Sequence, residues 1–333
     1  MTDVDRQAGT DSGAMALARP PFEPELGGLL AEMPSTPALD RETLALIRPF
    51  AASSPEPLLA DRAVDRHDFA VDRSDGTRLP LSVLSPPSPD RAPCVYWMHG
   101  GGMVMGDRFS QIDIPLDWLE AFGAVVVSVD YRLAPEATGT SLVDDCYHGL
   151  LWVAEHAGEL GVDPDRIVVA GTSAGGGLTA GVALMARDLG GPPLAAQVLI
   201  CPMLDHRNDT TSSLQYAGGP GVWTREMNEF GWQSVLGGLD GDAIPGHLSP
   251  ALADDLSGLP TTYIDAGSAE VFRDEAVAYA TRIWAAGGQA ELHIWAGGFH
   301  GFDALYPDAR LSAQARRTRN DWLERVLTPE RGR

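Results

Sequence analysis

The stretch Ile167-Val168-Val169-Ala170-Gly171-Thr172-Ser173-Ala174-Gly175-Gly176-Gly177 decides how the rest of the chain is read. It opens on β-branched residues, breaks at Gly171 and places a polar Ser173 at the break. An Ala-, Gly- and Leu-rich segment with helical spacing follows, ending near Leu189. The pattern predicts a buried strand, a sharp turn and a helix, with one serine at the corner. Gly171–Gly175 fits G-x-S-x-G, the pattern of a nucleophile elbow. Its two glycines have a steric reason, because a Cβ at either place would strike the neighbouring strand and helix, and the strained serine pushes its Oγ outward. The helix that follows aims its N-terminal N–H groups and positive dipole end at the same spot. Five positions with three fixed also arise by chance in a Gly/Ala-rich chain, so the serine needs its partners elsewhere.

Outward from this corner, strands and helices alternate. Upstream, Cys94–Met98 reads as a buried strand ending at His99-Gly100-Gly101-Gly102. A helix over 112–122, a Val-rich strand over 124–130 and a helix over 141–156 lead to the elbow. Downstream come a strand at 197–201, a strand at 262–265, a helix over 270–286, a strand at 290–295 and a final helix over 309–327. Before them, 67–73 and 79–84 flank Ser74-Asp75-Gly76-Thr77 and predict an antiparallel hairpin. The fold class is therefore α/β, a mostly parallel sheet with helices on both faces. Residues 1–13 read as disordered, and 14–60 carry two helical patterns, near Glu25–Met33 and Asp40–Phe50, that belong to no sheet. Residues 61–203 and 259–333 form the two parts of the core. Between them, 204–258 break the rhythm with Trp223, Phe230, Trp232 and Leu236 on short helical patterns. This insert and the N-terminal helices are expected to form a helical cap over the elbow.

Composition narrows the chemistry. The 333 residues suffice for one large domain with an insertion, and 44% are apolar. No run of ~18 apolar residues predicts a membrane span, and Met1-Thr2-Asp3-Val4-Asp5-Arg6 starts no secretory leader, so a cytoplasmic location is expected. Cys94, Cys146 and Cys201 are odd in number, widely spaced and set among apolar residues. They read as reduced core thiols with no metal or disulfide spacing. A net charge of −22 argues against nucleic-acid partners. The chain has no lysine at all. That removes Schiff-base and pyridoxal catalysis, a Walker phosphate loop and Ser–Lys pairs. No cofactor or metal is expected.

An elbow serine needs a base, an orienting acid and an oxyanion hole. Among the histidines that follow it, His206 and His247 fall in the insert, and His293 alternates with Leu292 and Ile294 inside a strand. His300 lies in the loop Ala296-Gly297-Gly298-Phe299-His300-Gly301-Phe302, at the sheet edge where α/β catalytic loops gather. A carboxylate one loop earlier satisfies the chain order serine, acid, histidine. Spacing alone leaves Asp265, read as the last strand residue, and Glu270, at the loop-to-helix junction, both open. The run Gly100-Gly101-Gly102 can offer backbone N–H groups without Cβ interference, and Ala174 offers another at the helix start.

Together these pieces resemble the hormone-sensitive-lipase-like esterases of the α/β-hydrolase superfamily, from about residue 65 to 305. His99-Gly100-Gly101-Gly102 resembles their HGGG block, and Asp130-Tyr131-Arg132-Leu133-Ala134-Pro135-Glu136 matches their D-Y-R-L-A-P-E segment. Gly171–Gly176 resembles the elbow in its G-T-S-A-G-G form, and His300-Gly301-Phe302 matches H-G-F. The resemblance implies an eight-stranded sheet, Ser173 as nucleophile and His300 as base. It implies an oxyanion hole from the N–H groups of Gly101, Gly102 and Ala174, with His99 structural. The family commonly reads D-P-L-x-D-E at the acid, whereas this chain reads Glu270-Val271-Phe272-Arg273-Asp274-Glu275, so alignment puts Glu270 in that place. The implied activity is hydrolysis of small to medium, short-acyl esters or lactones. Met103, Val104, Met203, Leu204, Trp223 and Phe299, with Phe230, Trp232 and Leu305, are expected to line an apolar substrate pocket. A homodimer is common in the family. Acyl transfer uses the same residues, a non-catalytic receptor typically lacks the histidine, and a peptidase usually carries a large extra domain.

Overall fold

The structure, a computed structural model, describes residues 17–34, 38–73 and 75–328. The disorder expected over 1–13 lies outside them. Eight strands form one sheet in the order β1-β2-β4-β3-β5-β6-β7-β8. They are β1 (Asp65–Asp72), β2 (Arg78–Ser85), β3 (Ala92–Met98), β4 (Val125–Val129), β5 (Val162–Thr172), β6 (Ala196–Ile200), β7 (Thr261–Gly267) and β8 (Ala290–Trp295). Strand β2 runs antiparallel to β1 and β4, and the other pairs are parallel. The expected hairpin and the expected eight strands are both present. β3 and β4 are buried along their whole length, which is why they read as unbroken apolar runs and not as alternating ones.

Helices cover both faces. On one side lie α4 (Asp113–Phe122) and the C-terminal helix, whose Trp118, Leu119, Trp322 and Leu323 pack with Val95, Trp97 and Val126 of the sheet. On the other lie α5 (Ser141–Glu155), α6 (Ala174–Asp188) and α9 (Arg273–Ala285), whose Leu150, Leu178 and Ile283 join Tyr96, Val127 and Ile264. The long helix at the end of the chain is α11 (Arg310–Leu327), preceded by the one-turn α10 (Phe302–Leu305). Glycines let α6 sit close: a Cβ at Gly177 would meet the Met203 carbonyl at 2.0 Å, and one at Gly181 the His247 carbonyl at 2.1 Å.

The two N-terminal patterns are α1 (Pro24–Glu32) and α2 (Arg41–Ala51), followed by the short α3 (Glu56–Leu59). Asp40 caps α2 through the N–H groups of Glu42 and Thr43, with the Thr43 hydroxyl returning to the Asp40 N–H. Arg48 anchors α2 on the body by donating to the carbonyls of Val104 and Ala134 and pairing with Glu136. The stretch 204–258 contains α7 (Thr211–Gln215), α8 (Arg225–Leu236) and two 3-10 turns. Its later part returns along the body, where Arg187 holds the carbonyls of Asp255 and Ser257, and Arg282 those of Ala251 and Ala253. Only its earlier part reaches the cleft described next. No helix among the described residues is long and apolar enough to cross a membrane.

Candidate active site

The corner after β5 has the geometry its sequence demands. Ser173 sits at φ 56° and ψ −121°, a strained setting for a residue with a side chain. A Cβ on Gly171 would lie 2.3 Å from the Gly175 carbonyl oxygen, and one on Gly175 would lie 2.0 Å from that of Met98. The turn is fixed from below, since the Ser173 N–H donates to the Ile200 carbonyl and its own carbonyl accepts from Met203.

From Ser173 a hydrogen-bond chain runs inward. His300 Nε2 lies 2.9 Å from Ser173 Oγ, and His300 Nδ1 lies 2.5 Å from Glu270 Oε2. All three side chains are buried. Glu270 comes within reach because two glycines let their loops touch: a Cβ on Gly267 would lie 2.0 Å from the Gly298 carbonyl oxygen, which also accepts from the Ala269 N–H. Glu270 Oε1 turns back to accept from the Gly267 N–H at 2.8 Å. Burial disfavours the charged imidazolium of His300, while the neighbouring Cys201 sulfur and Glu270 carboxylate favour it, and the balance lies above the ordinary histidine value. Burial pushes the Cys201 thiol up.

The structure corrects two expectations here. Helix α9 starts at Arg273, so Glu270 belongs to a loop, and β7 runs on to Gly267, so Asp265 is inside the strand. Asp265 faces α11, where Arg319 bridges it and Asp303 at 2.8 and 2.9 Å. It also accepts from Tyr263 and Trp295. Burial pushes its carboxyl up, against the pull of Arg319. Of the two open acids, only Glu270 meets His300. His293 is a sheet residue, stacked on Trp295 and bonded to Glu291.

The glycine loop lies against the serine, since a Cβ on Gly100 would be 3.3 Å from Ser173 Cβ. The N–H groups of Gly101 and Gly102 donate to no acceptor among the described residues, and the Ala174 N–H stands at the open start of α6. His99 braces this loop. Its ring stacks on Tyr131 at 4.2 Å, its Nδ1 meets the Gly100 carbonyl at 2.8 Å, and the Tyr131 hydroxyl donates to the His99 carbonyl. Burial lowers the His99 pKa, and the Gly100 carbonyl, which can only accept, makes Nδ1 the donor. Above the loop, the Trp223 indole rests so near Gly102 that a Cβ there would lie 2.3 Å from it.

Residues 95–304 match the model of a family described as having the alpha/beta hydrolase fold. The chain belongs to that family, in its hormone-sensitive-lipase-like branch. It is 37% identical to carboxylesterase NlhH of Mycobacterium tuberculosis over 281 residues, covering 83% of this chain and 87% of the relative. Among solved structures it resembles a bacterial heroin esterase, with TM-score 0.85 and 34% identity over 92% of this chain and 98% of that one. It also resembles esterase LipW from Mycobacterium marinum, with TM-score 0.83 and 30% identity over 93% and 99%.

Ser173 opens to a cleft of about 420 Å³. Its walls differ from those expected. Trp223 and Leu305 line it, but Met103, Val104, Met203, Leu204 and Phe299 have no exposed surface and do not. Met103, at φ 63°, and Met203 and Leu204 pack in the α6 side of the core. Phe299 packs against Phe22 and Tyr306. Phe230 and Trp232 also lie off the cleft. In their place stand Ile47 of α2, Met105, Gln111, Val222 and Met227. Gln111 had no sequence signal, yet its Oε1 takes the Gly100 N–H at 3.0 Å. Cys201 had a usable one, because it directly follows the strand next to the elbow strand, at the same edge.

Proposed function

We propose that this carboxylic ester hydrolase cleaves small to medium, short-acyl carboxylic esters, or lactones, through an acyl-enzyme on Ser173. The observation that carries the reading is the unbroken chain from Ser173 Oγ through His300 to Glu270, with spacings of 2.9 and 2.5 Å at the floor of an apolar-walled cleft. His300 Nε2 takes the serine proton as Oγ attacks the ester carbonyl, and Glu270 stabilises the imidazolium that forms. The N–H groups of Gly101, Gly102 and Ala174 receive the developing oxyanion, a contribution of about 3–4 kcal/mol each in such sites. His300 then protonates the leaving alcohol, and water releases the acyl group by the same route. The small cleft supports short acyl groups. The carboxylesterase and heroin esterase likenesses support an ester as substrate. The N-terminal helices and the earlier part of 204–258 act as a cap, supported by Ile47, Val222 and Trp223 at the cleft. The three buried free thiols suit a cytoplasmic location.

The test pairs labelling with turnover. An organophosphonate ester is expected to modify Ser173 alone on mass mapping, and Ser173→Ala to abolish p-nitrophenyl acetate turnover. Labelling elsewhere, or turnover that persists in Ser173→Ala, overturns the assignment.

A further inference from the structure

Next to His300, and outside the residues that line the cleft, lies a group that ester hydrolysis does not use, the thiol of Cys201. Its N–H is held by the Asp265 carbonyl at 2.6 Å, its φ is 38°, and Thr172 Oγ1 lies 3.6 Å from its sulfur. One ligand atom each from Cys201, Glu270 and His300 lie within 4.8 Å of one another, and all three residues are buried. We propose that these three side chains form an inhibitory site for a soft divalent cation, zinc or cadmium, which assembles by dismantling the hydrogen-bond chain of hydrolysis.

The donor set is the one such cations select. Thiolate, imidazole and carboxylate are all zinc ligands, and thiolate favours soft ions over magnesium or calcium. With metal–ligand distances of ~2.0–2.3 Å, tetrahedral donors stand about 3.5 Å apart, so the three side chains need only modest closing. Charge favours the site too. A thiolate and a carboxylate together balance a divalent cation, and the imidazole enters neutral. The buried assembly carries no uncompensated charge, the state that burial penalises most.

The step balances. The cation bonds to Cys201 Sγ, a Glu270 oxygen and His300 Nδ1. The thiol proton leaves to solvent, as does the second ring proton where His300 is an imidazolium, and the remaining imidazole proton moves from Nδ1 to Nε2. Nε2 then donates to Ser173 Oγ and cannot accept its proton, so the nucleophile loses its base. Because His300 lines the cleft and Cys201 does not, an ion coming from the cleft reaches the thiol only after the imidazole leaves Glu270. Inhibition therefore sets in slowly and is delayed by bound substrate.

The loss of turnover rests on the proposed hydrolytic reading, whereas the binding itself rests on geometry. The experiment adds cadmium to the full chain and follows two signals: the ultraviolet cadmium–thiolate charge-transfer band, and p-nitrophenyl acetate turnover relative to each protein's metal-free rate. One cadmium per chain, progressive loss of turnover and recovery on adding EDTA are expected. Cys201→Ser, with Cys201→Ala as a second variant, is expected to lose the band. It should weaken inhibition by more than the ~10–100-fold that loss of a mere outer-shell partner costs. Ser173→Ala should keep the band. Equal inhibition in the Cys201 variants overturns the proposal. So does a band that survives them, which places the ion on Cys94 or Cys146, or no band in the native chain. If the band behaves as expected while Ser173→Ala still turns over ester, the metal site stands and the hydrolytic reading fails.

Discussion

Glu270→Gln isolates the acid with almost no change in shape. Glu270 is 1% exposed and held at both oxygens, Oε1 by the Gly267 N–H at 2.8 Å and Oε2 by His300 Nδ1 at 2.5 Å. The Gly267 N–H can only donate, so the glutamine oxygen stays with it and the amide nitrogen turns to His300. Two donors cannot face each other, so the imidazole moves its proton to Nε2, where it points at Ser173 Oγ. The reverse flip restores an acceptor for Nδ1 but sets the amide nitrogen against the Gly267 N–H, leaving a buried donor unpaired at ~1–3 kcal/mol. The corresponding change in a Ser-His-Asp triad lowers kcat about 10⁴-fold, or about 5.4 kcal/mol at 1.36 kcal/mol per decade. With the reverse flip as the escape route, the loss falls between the about 5-fold that ~1 kcal/mol implies and about 10⁴-fold. The assay is kcat for p-nitrophenyl acetate alongside a thermal melt, with Asp265→Asn as control. A folded Glu270→Gln within about twofold of native kcat refutes the reasoning, since even the escape route costs about fivefold. An inactive Asp265→Asn beside it moves the acid to that residue.

Three further outcomes follow from the same geometry. Arg319→Met removes the only counter-charge between buried Asp265 and Asp303 among the described residues, and should cost about 3–5 kcal/mol of unfolding free energy in urea, as for other broken buried pairs; a loss under ~1 kcal/mol, the scale of an exposed pair, counts against it. Gly102→Ala adds a Cβ at φ 63° and 2.3 Å from the Trp223 ring, which displaces an N–H of the glycine loop. It is expected to lower kcat about 10²–10³-fold, and an unchanged kcat would remove Gly102 from the oxyanion site. Burial opposes the charge on His300, but Cys201 and Glu270 raise its pKa above the ordinary 6.5. The inactive imidazolium therefore persists to higher pH, and kcat/KM should climb with pH to a midpoint above that value; a midpoint below it contradicts the assignment.

Some of this was legible in the sequence for physical reasons. Ile167–Ala170 and Val125–Val129 are buried on both faces, so they had to be apolar throughout and could be read without neighbours. Ser173, Gly101, Gly102 and His300 were legible because a tight approach to a reacting atom needs glycines at fixed offsets, and those offsets are local. The cleft wall was not. Met103 and Val104 follow the glycine loop directly, yet the left-handed backbone at Met103 carries them into the α6 side of the core. Apolar side chains look alike in sequence whether they fill a core or wall a cleft. The true wall gathers Ile47, Met105, Val222 and Met227 from segments far apart in the chain, and only packing brings these together.

The choice of acid has a partly local answer. Within β7 the side chains alternate, so Tyr263 and Asp265 share a face, and Tyr263 packs on Trp322 of α11. Asp265 is therefore committed to the α11 side, where Arg319 holds it. Ile264 and Ala266 face the α6 side. A carboxylate that serves His300 must come from beyond the strand end, in the loop that Gly267 and Gly298 allow to touch the histidine loop. The later start of α9 leaves residues 268–272 free to make that turn. There the extra methylene of glutamate over aspartate has a use. One oxygen reaches back to the Gly267 N–H while the other reaches Nδ1, so a single side chain orients the imidazole and pins its own loop. Aspartate at 270 has less reach, and its loop would have to move inward to keep both bonds. Glu270→Asp should accordingly lose more in kcat than in folding stability.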